Sequence, residues 1–250
     1  MIPLSGKYYV ECNEVFRRST NQPDRMLDEM RKFAQGRSGL RILSVGSGVG
    51  LFEIPMLLML KAKTKYFVGV DVNNHACQVL RNRLQEEFGS SLDFEVENLS
   101  FDEYRTDRRF EIVLFNHAFE YLDGNPLSWI QKSRELLAEA GIVLIFSPNR
   151  GGINRFYDEL FAPFLSEDLK PLLARTGINY STTTIDAECD LSLLDGDEED
   201  SNRIRLLSFL TQTDCRNLPP STQREFAGYF LSLRKGETSM IPHPTTLFVL

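Results

Sequence analysis

Between Leu40 and Ser147, short apolar runs alternate with stretches whose apolar residues recur about every three to four positions. The runs "RILSV", "YFVGV", "LDFEV", "FEIVLFN" and "GIVLIFS" have the length of strands. The intervening "LFEIPMLLMLK", "HACQVLRNRLQEEF" and "LSWIQKSRELLAE" have helical periodicity. A strand with one face in water alternates apolar with polar residues, whereas most of these are apolar throughout, so both faces of the sheet must be covered. The pattern predicts an α/β fold: a Rossmann-like, doubly wound, mostly parallel sheet with helices on both faces. "TTLFVL" closes the chain as an antiparallel C-terminal edge strand.

Outside this stretch the pattern is sparser. Val10–Arg18 and Asp24–Phe33 read as two amphipathic helices broken at "TNQP", with Met26, Leu27, Met30 and Phe33 at helical spacing. After Ser147, "PNRGG" reads as a loop and Ile153–Leu160 as a helix. Ser166 is placed to cap a helix through Arg175, with Glu167 and Asp168 complementing the dipole in its first turn and Gly177 stopping it. "INYSTTTID" has strand composition, and helices over Arg203–Leu210 and Gln223–Lys235 flank "NLPPS". Three segments result, 1–39, 40–149 and 150–250, within one structural domain.

Composition narrows the class of partner. With 42% hydrophobic and 25% charged residues the chain is of ordinary globular make-up. A net charge of −7 argues against a polyanionic partner, and the one short basic run, "RTDRR", is diluted by Asp107. No nucleic acid and no membrane is therefore expected as partner; the most apolar run, "IPMLLML", is about a third of a span and is followed by lysines. Cys12, Cys77, Cys189 and Cys215 are scattered, with no CxxC and no histidine at ligand spacing, which predicts free thiols in a reducing compartment and no metal. The start "MIPLSGKYYVECNE" lacks the apolar core of a signal peptide, so a cytoplasmic protein is expected. The acidic run Asp195–Asp200 reads as a solvated loop, with a mobile lid as the functional alternative.

The chemistry concentrates after the first strand. Gly46, Gly48 and Gly50 in "SVGSGVG" remove side chains where a parallel sheet receives its ligands, letting backbone amides approach. A dinucleotide loop wants GxGxxG; here the third glycine comes one residue early and Leu51 stands where the last is wanted. The next strand ends in Asp71, placed either to accept hydrogen bonds from ribose hydroxyls or, with Asn73, to cap the helix that follows. Glycine loop and acid, in this order on consecutive strands, point to a nucleoside.

These motifs, with "LDFEVENLSFDEY", "FEIVLFNHAFEYL" and "SRELLAEAGIVLIFSPN", resemble the class I S-adenosylmethionine (SAM) methyltransferases over Leu40–Asn149. Most members carry an acid two residues before the first glycine, which helps hold the methionine amino group. Ser44 stands there, as in the histamine N-methyltransferase branch. "GKYYVECNEVFRRST", "SEDLKPLLARTGINYSTTTIDAE" and "LLDGDEED…LLSFLTQT" followed by "LPP" also resemble that branch.

The resemblance implies a SAM-binding core over 40–149, a substrate-side helical cap over 1–39, and sheet completion with a substrate-binding insertion over 150–250. It implies Gly46, Ser47, Gly48, Gly50, Asp71, Val72, Asn98, Leu99, Ser100 and Phe115 as cofactor-binding residues, with S-adenosyl-L-homocysteine (SAH) as product. Asn116, His117 and Glu120 fall where reaction would occur; alternatively Glu120 is a solvated loop residue and His117 packs beneath the site. The branch's substrate glutamate falls near Asn21, its glutamine at Asn116 and its asparagine near Pro244. Tyr8, Phe119, Tyr157 and Phe209 fall on or near pocket aromatics, although Phe119 and Tyr121 suit the core equally.

The expected activity is SAM-dependent N-methylation of a small amine, imidazole or related heterocycle by a monomer or weak dimer. The alternatives are a protein or nucleic-acid methyltransferase and a non-catalytic SAM-binding module. Against the first, "NHAF" stands where amino-methylating enzymes of that kind carry Asp/Asn-Pro-Pro-aromatic.

Overall fold

The structure, a computed structural model, describes residues 4–121, 124–234, 236 and 238–250. Two units organise them. The sheet unit comprises Met26–Ser147, Phe164–Thr184 and Thr246–Leu250; the second, mainly helical unit comprises the described part of Met1–Arg25 with Pro148–Pro163 and Ile185–Thr245.

In the sheet unit the strands are β1 (Leu40–Val45), β2 (Thr64–Asp71), β3 (Asp93–Asn98), β4 (Phe110–Asn116), β5 (Leu137–Pro148), β6 (Ser181–Ile185) and β9 (Thr245–Val249), in the order β3-β2-β1-β4-β5-β9-β6. β1 pairs in parallel with both β2 and β4, β2 with β3, and β4 with β5. Central position explains composition: β1 and β4 are buried along almost their whole length, whereas β6 is a threonine-rich strand exposed at four of five positions. Val143 and Leu250 exchange both backbone hydrogen bonds at 3.0 Å, so the C-terminal strand runs antiparallel beside β5, with β6 outside it.

The covering helices are α3 (Glu53–Met59), α4 (Asn74–Phe88), α5 (Pro126–Glu135) and α7 (Ser166–Thr176), with most of α2 (Gln22–Phe33). Asn73 caps α4 by accepting the Ala76 N–H at 3.2 Å, and Asn125 caps α5 through the Leu127 N–H at 3.0 Å. Met26 and Met30 of α2 are fully buried, as its periodicity predicts. One aromatic cluster fills the core on one side of the sheet: Phe119 packs edge-on against Phe115 and Trp129, and Phe115 against Phe101.

Three expectations shift. Ser166 is the first residue of α7 and not its cap; Leu165 precedes the helix, and the Asp168 carboxylate accepts its N–H at 2.9 Å. Gly177, at φ +67°, does end that helix. The helix expected through "SRELLAE" stops at Glu135, because β5 already begins at Leu137. Leu137 pairs with Phe110, and the next partners are Ile142 and Ile112, so β5 carries a bulge. Gly141 makes it possible: a β-carbon there would lie 2.6 Å from the Phe110 carbonyl oxygen.

The helical unit holds α1 (Gly6–Arg18), α6 (Arg155–Phe161), α8 (Ser201–Thr211) and α9 (Pro220–Ser232), with the two-stranded antiparallel pair β7 (Glu188–Asp190) and β8 (Met240–Pro242). α1 starts four residues before the expected Val10 and α9 three before Gln223; Lys235, the expected end of the latter, lies outside the described residues. Phe156, Leu206, Leu207, Phe230 and Ile241 anchor its core. In the acidic run, Asp200 caps α8 through the Asn202 N–H at 2.7 Å, and Glu198 pairs with Arg224 at 2.9 Å. Among the described residues no helix is long and apolar enough to cross a membrane.

Candidate active site

β1 delivers the chain directly into the glycine loop. Gly46, Gly48 and Gly50 all have positive φ (69°, 54° and 79°), which L side chains rarely tolerate. Two have a second reason: a β-carbon on Gly46 would stand 2.6 Å from Ala118 Cβ, and one on Gly50 2.6 Å from Leu80 Cδ1 of α4. The loop is thus pressed between the segment after β4 and the helix after β2. The Gly46 and Ser47 N–H groups donate to the Val70 carbonyl at 2.8 and 3.2 Å, so the first turn is held by β2.

Asp71 is the hub. Its Oδ2 accepts the Gly48 N–H and its Oδ1 the Asn73 N–H, both at 2.8 Å. Burial raises its pKa above the usual 3.8, against the opposing pull of the Asn73 and Gly48 hydrogen bonds. The capping role falls to Asn73, which Asp71 orders, and each Asp71 oxygen retains a lone pair. Val72 beside it is 72% exposed, an apolar side chain standing at the mouth of the loop. Asn98 reaches the same corner, its Nδ2 donating to the Asp71 carbonyl at 3.0 Å. Leu99 packs on the core, and the Ser100 hydroxyl and N–H donate to Glu103 at 2.7 and 3.1 Å. The Ser47 hydroxyl is buried and faces Gly69.

The segment after β4 carries the polar groups. His117 takes a left-handed backbone (φ 49°), unusual for a non-glycine residue, while its N–H still donates to the Phe146 carbonyl at 3.0 Å. Its Nδ1 lies 3.5 Å from Glu120 Oε1, and both side chains are largely buried. Asn116 Oδ1 and Glu120 Oε2 are buried acceptors with no hydrogen-bond partner among the described residues. Phe119 lies in the core beneath them, whereas Tyr121 is 48% exposed.

Tyr8, Asn21, Tyr157 and Phe209 all belong to the helical unit. Phe209 stacks on Phe16 at 4.4 Å, with Tyr9 5.9 Å away. Tyr8 donates to or accepts from Ser208 at 3.3 Å under the Arg216 guanidinium, and burial pushes its pKa up to about 12. Asn21 Oδ1 accepts the Glu188 N–H at 2.9 Å, so this amide is engaged with β7. Tyr157 packs against Phe161 on α6.

Sequence reasoning missed two groups. Buried Glu53 accepts the Ser44 hydroxyl at 2.9 Å; its signal was a carboxylate just after the glycine loop, at the head of an apolar helix. Buried His243 packs edge-on against Phe16, with Nδ1 2.9 Å from the Thr20 hydroxyl. That hydroxyl also donates to the Glu188 carbonyl at 2.9 Å, so both contacts are satisfied when Nδ1 carries the imidazole proton. No local pattern announces a pair 223 residues apart.

Glycine loop, strand-end acid and reversed C-terminal strand define a methyltransferase fold, and comparison with known proteins agrees. The methyltransferase-domain family matches residues 17–182, well over half of the chain, and the chain belongs to that family. A search of curated proteins finds no match. The YcgJ protein of Bacillus subtilis superposes with a TM-score of 0.61 at 13% identity, over 89% of this chain and 96% of its own. A SAM-dependent methyltransferase from Thiobacillus denitrificans, in complex with SAH, gives 0.55 at 13% identity over 91% of each chain. Another from Geobacter sulfurreducens, also with SAH, gives 0.55 at 16% identity over 90% of each. The protein is a SAM-dependent methyltransferase. Its residues fit the cofactor: Gly46 and Gly50 let the loop pack on Ala118 and Leu80, the place of a Gly48 β-carbon is open space, and Asp71, which accepts the Gly48 N–H, offers carboxylate lone pairs beside it.

Proposed function

We propose that this methyltransferase acts on a nitrogen of a small molecule: an amine, an imidazole or a related heterocycle, as in the histamine N-methyltransferase branch it resembles. The observation that carries this reading is the pair of buried acceptors without a partner among the described residues, Asn116 Oδ1 and Glu120 Oε2, which flank Ala118, the residue packed on Gly46. A buried acceptor without a donor costs about 1–3 kcal/mol, so the site favours an acceptor molecule that brings N–H groups.

In this reading Asp71 takes the ribose hydroxyls, Val72 and Asn98–Ser100 flank the adenine, and Gly46–Gly50 and Phe115 shape the remainder. Bound SAM supplies an electrophilic methyl on a sulfonium sulfur. Asn116 and Glu120 hold the N–H so that the nitrogen lone pair faces that methyl, and alignment in a buried site lowers the barrier. The Glu120–His117 pair receives the proton that the nitrogen sheds. Tyr8, Asn21, Tyr157 and Phe209, all in the helical unit, are the candidate acceptor-binding residues, and Phe119 lies in the core of the sheet unit. Losing the branch's ammonium-pairing glutamate, with Asn21 in its place, disfavours histamine itself.

The test is a panel of small amines, imidazoles and heteroaromatics screened for SAH release. Turnover of at least one member is expected, with Glu120→Gln lowering kcat about 100-fold or more at unchanged SAH affinity. Silence across the panel, with SAH still bound, would overturn the small-molecule assignment.

A further inference from the structure

We infer that the methyl acceptor is a primary amine and that the enzyme methylates it once. This rests on the small-molecule reading above and narrows it by counting hydrogen-bonding positions. β4 ends at Asn116, and His117 then turns the chain through its left-handed backbone. A short helical turn follows over Phe119–Tyr121, and the Tyr121 N–H donates to the Ala118 carbonyl at 3.1 Å. Together they bring Glu120 back to His117, with Oε1 3.5 Å from Nδ1. Ala118, between the two polar groups, packs on Gly46, so this turn stands beside the glycine loop.

Asn116 is 7% exposed and the Glu120 side chain 4%. An amide oxygen and an ionised carboxylate only accept hydrogen bonds. Among the described residues neither Asn116 Oδ1 nor Glu120 Oε2 receives one. Two buried acceptors within one turn of chain call for two donors. A neutral primary amine supplies both from a single atom: its two N–H groups donate to Asn116 and Glu120, and its lone pair stays free. A secondary amine brings one N–H and a tertiary amine none. The imidazole nitrogen that carries a free lone pair also has no N–H. As the amine nitrogen takes the methyl, the S–CH3 bond breaks, its electron pair stays on sulfur to leave SAH, and the nitrogen becomes cationic. That charge develops beside the buried Glu120 carboxylate, where it is strongly stabilised. One proton then passes to the Glu120–His117 pair and on to solvent, and the neutral product keeps a single N–H. In a second round one acceptor would go without a donor. A missing hydrogen bond at a buried site discriminates far better than one extra carbon.

The experiment gives the full chain SAM with benzylamine, 2-phenylethylamine and tryptamine, each beside its N-methyl and N,N-dimethyl counterparts. SAH release gives the rate and mass spectrometry the number of methyl groups added. A primary amine is expected to turn over with kcat/KM at least about tenfold above its N-methyl counterpart, with monomethylated product accumulating. Asn116→Leu removes one acceptor, so the primary amine should lose at least about tenfold and its N-methyl counterpart should stay within about twofold. An N-methyl counterpart as fast as its parent, or a preference that Asn116→Leu leaves intact, overturns the inference and leaves the small-molecule assignment standing. Should Asn116→Leu fail to fold, the parent protein decides by its products, and dimethylated amine accumulating at early turnover overturns the inference. Turnover of an imidazole or heteroaromatic with every amine silent also overturns this inference alone. Silence of the whole panel with SAH still bound overturns the small-molecule reading itself, so the two failures are told apart.

Discussion

Asp71 orders the glycine loop from the end of β2, where the ribose is proposed to bind. Its two oxygens already receive backbone N–H groups from Gly48 and Asn73, so the carboxylate shapes the glycine loop before any ribose arrives. Asp71→Ala is expected to weaken SAH by roughly 1–3 kcal/mol in a calorimetric titration; unchanged affinity would remove the ribose assignment. The pH dependence follows from burial, which raises the folded-state pKa above 3.8 against the pull of those hydrogen bonds. Protonation, which converts an acceptor oxygen into a donor, therefore begins at a higher pH than for an ordinary aspartate. SAH affinity should accordingly fall on acidification before the 3.8 midpoint of a free side chain is reached. The same raised value makes the ionised form a burden on folding: between 3.8 and the folded pKa, Asp71's contribution to stability declines as pH rises.

At the scale of elements, β1 and β4 are locked by more than their ladder. The Glu111 carboxylate accepts the Arg41 backbone N–H at 2.6 Å, its Nη2 at 2.7 Å and its Nε at 3.1 Å. Burial would raise the Glu111 pKa, but the Arg41 bonds and charge outweigh it and the net shift is downward from 4.5. Stability from the ionised form is thus complete above 4.5 and is lost as pH falls through the lowered folded value. Glu111→Gln should cost about 1–2 kcal/mol in urea denaturation at neutral pH. The gap from the parent should close in acid; a pH-independent gap would mean that packing, not charge, holds the clamp. This pair was silent in the sequence because its partners lie on separate strands. The strands themselves were legible, since parallel strands buried on both faces leave unbroken apolar runs such as "FEIVLFN". The early start of β5 was not: Leu137–Ala140 continues a helical rhythm, and only the Phe110 pairing and the Gly141 bulge make it strand. β7 and β8, three residues each, are too short to show any period. The glycine loop and Asp71 were legible because glycines and a strand-end acid are local signals. Glu53 and His243 act through partners set by tertiary structure, Ser44 across the loop and Thr20 from the other end of the chain.

For the whole molecule, the four thiols report on both units at once. Cys77 belongs to the sheet unit and Cys12, Cys189 and Cys215 to the helical unit, and all four are buried and free. Burial raises each pKa, that of Cys12 to about 12, so near pH 8 labelling requires an opening that both exposes the sulfur and lets it ionise. The native protein should therefore show no fast thiol, and all four should react at once in denaturant. Cys77 has a further use, because its Sγ donates to the Asp71 carbonyl at 3.3 Å. A ligand that binds only the closed form suppresses opening by a factor of 1 + [L]/Kd. SAH at about a hundred times its Kd should thus slow Cys77 labelling by about two orders of magnitude, read peptide by peptide in the mass spectrometer. If SAH leaves the Cys77 rate unchanged while still binding, the cofactor site does not include Asp71. The slowing of Cys12, Cys189 and Cys215 in the same samples then measures how far the helical unit opens with the sheet that carries the cofactor loop.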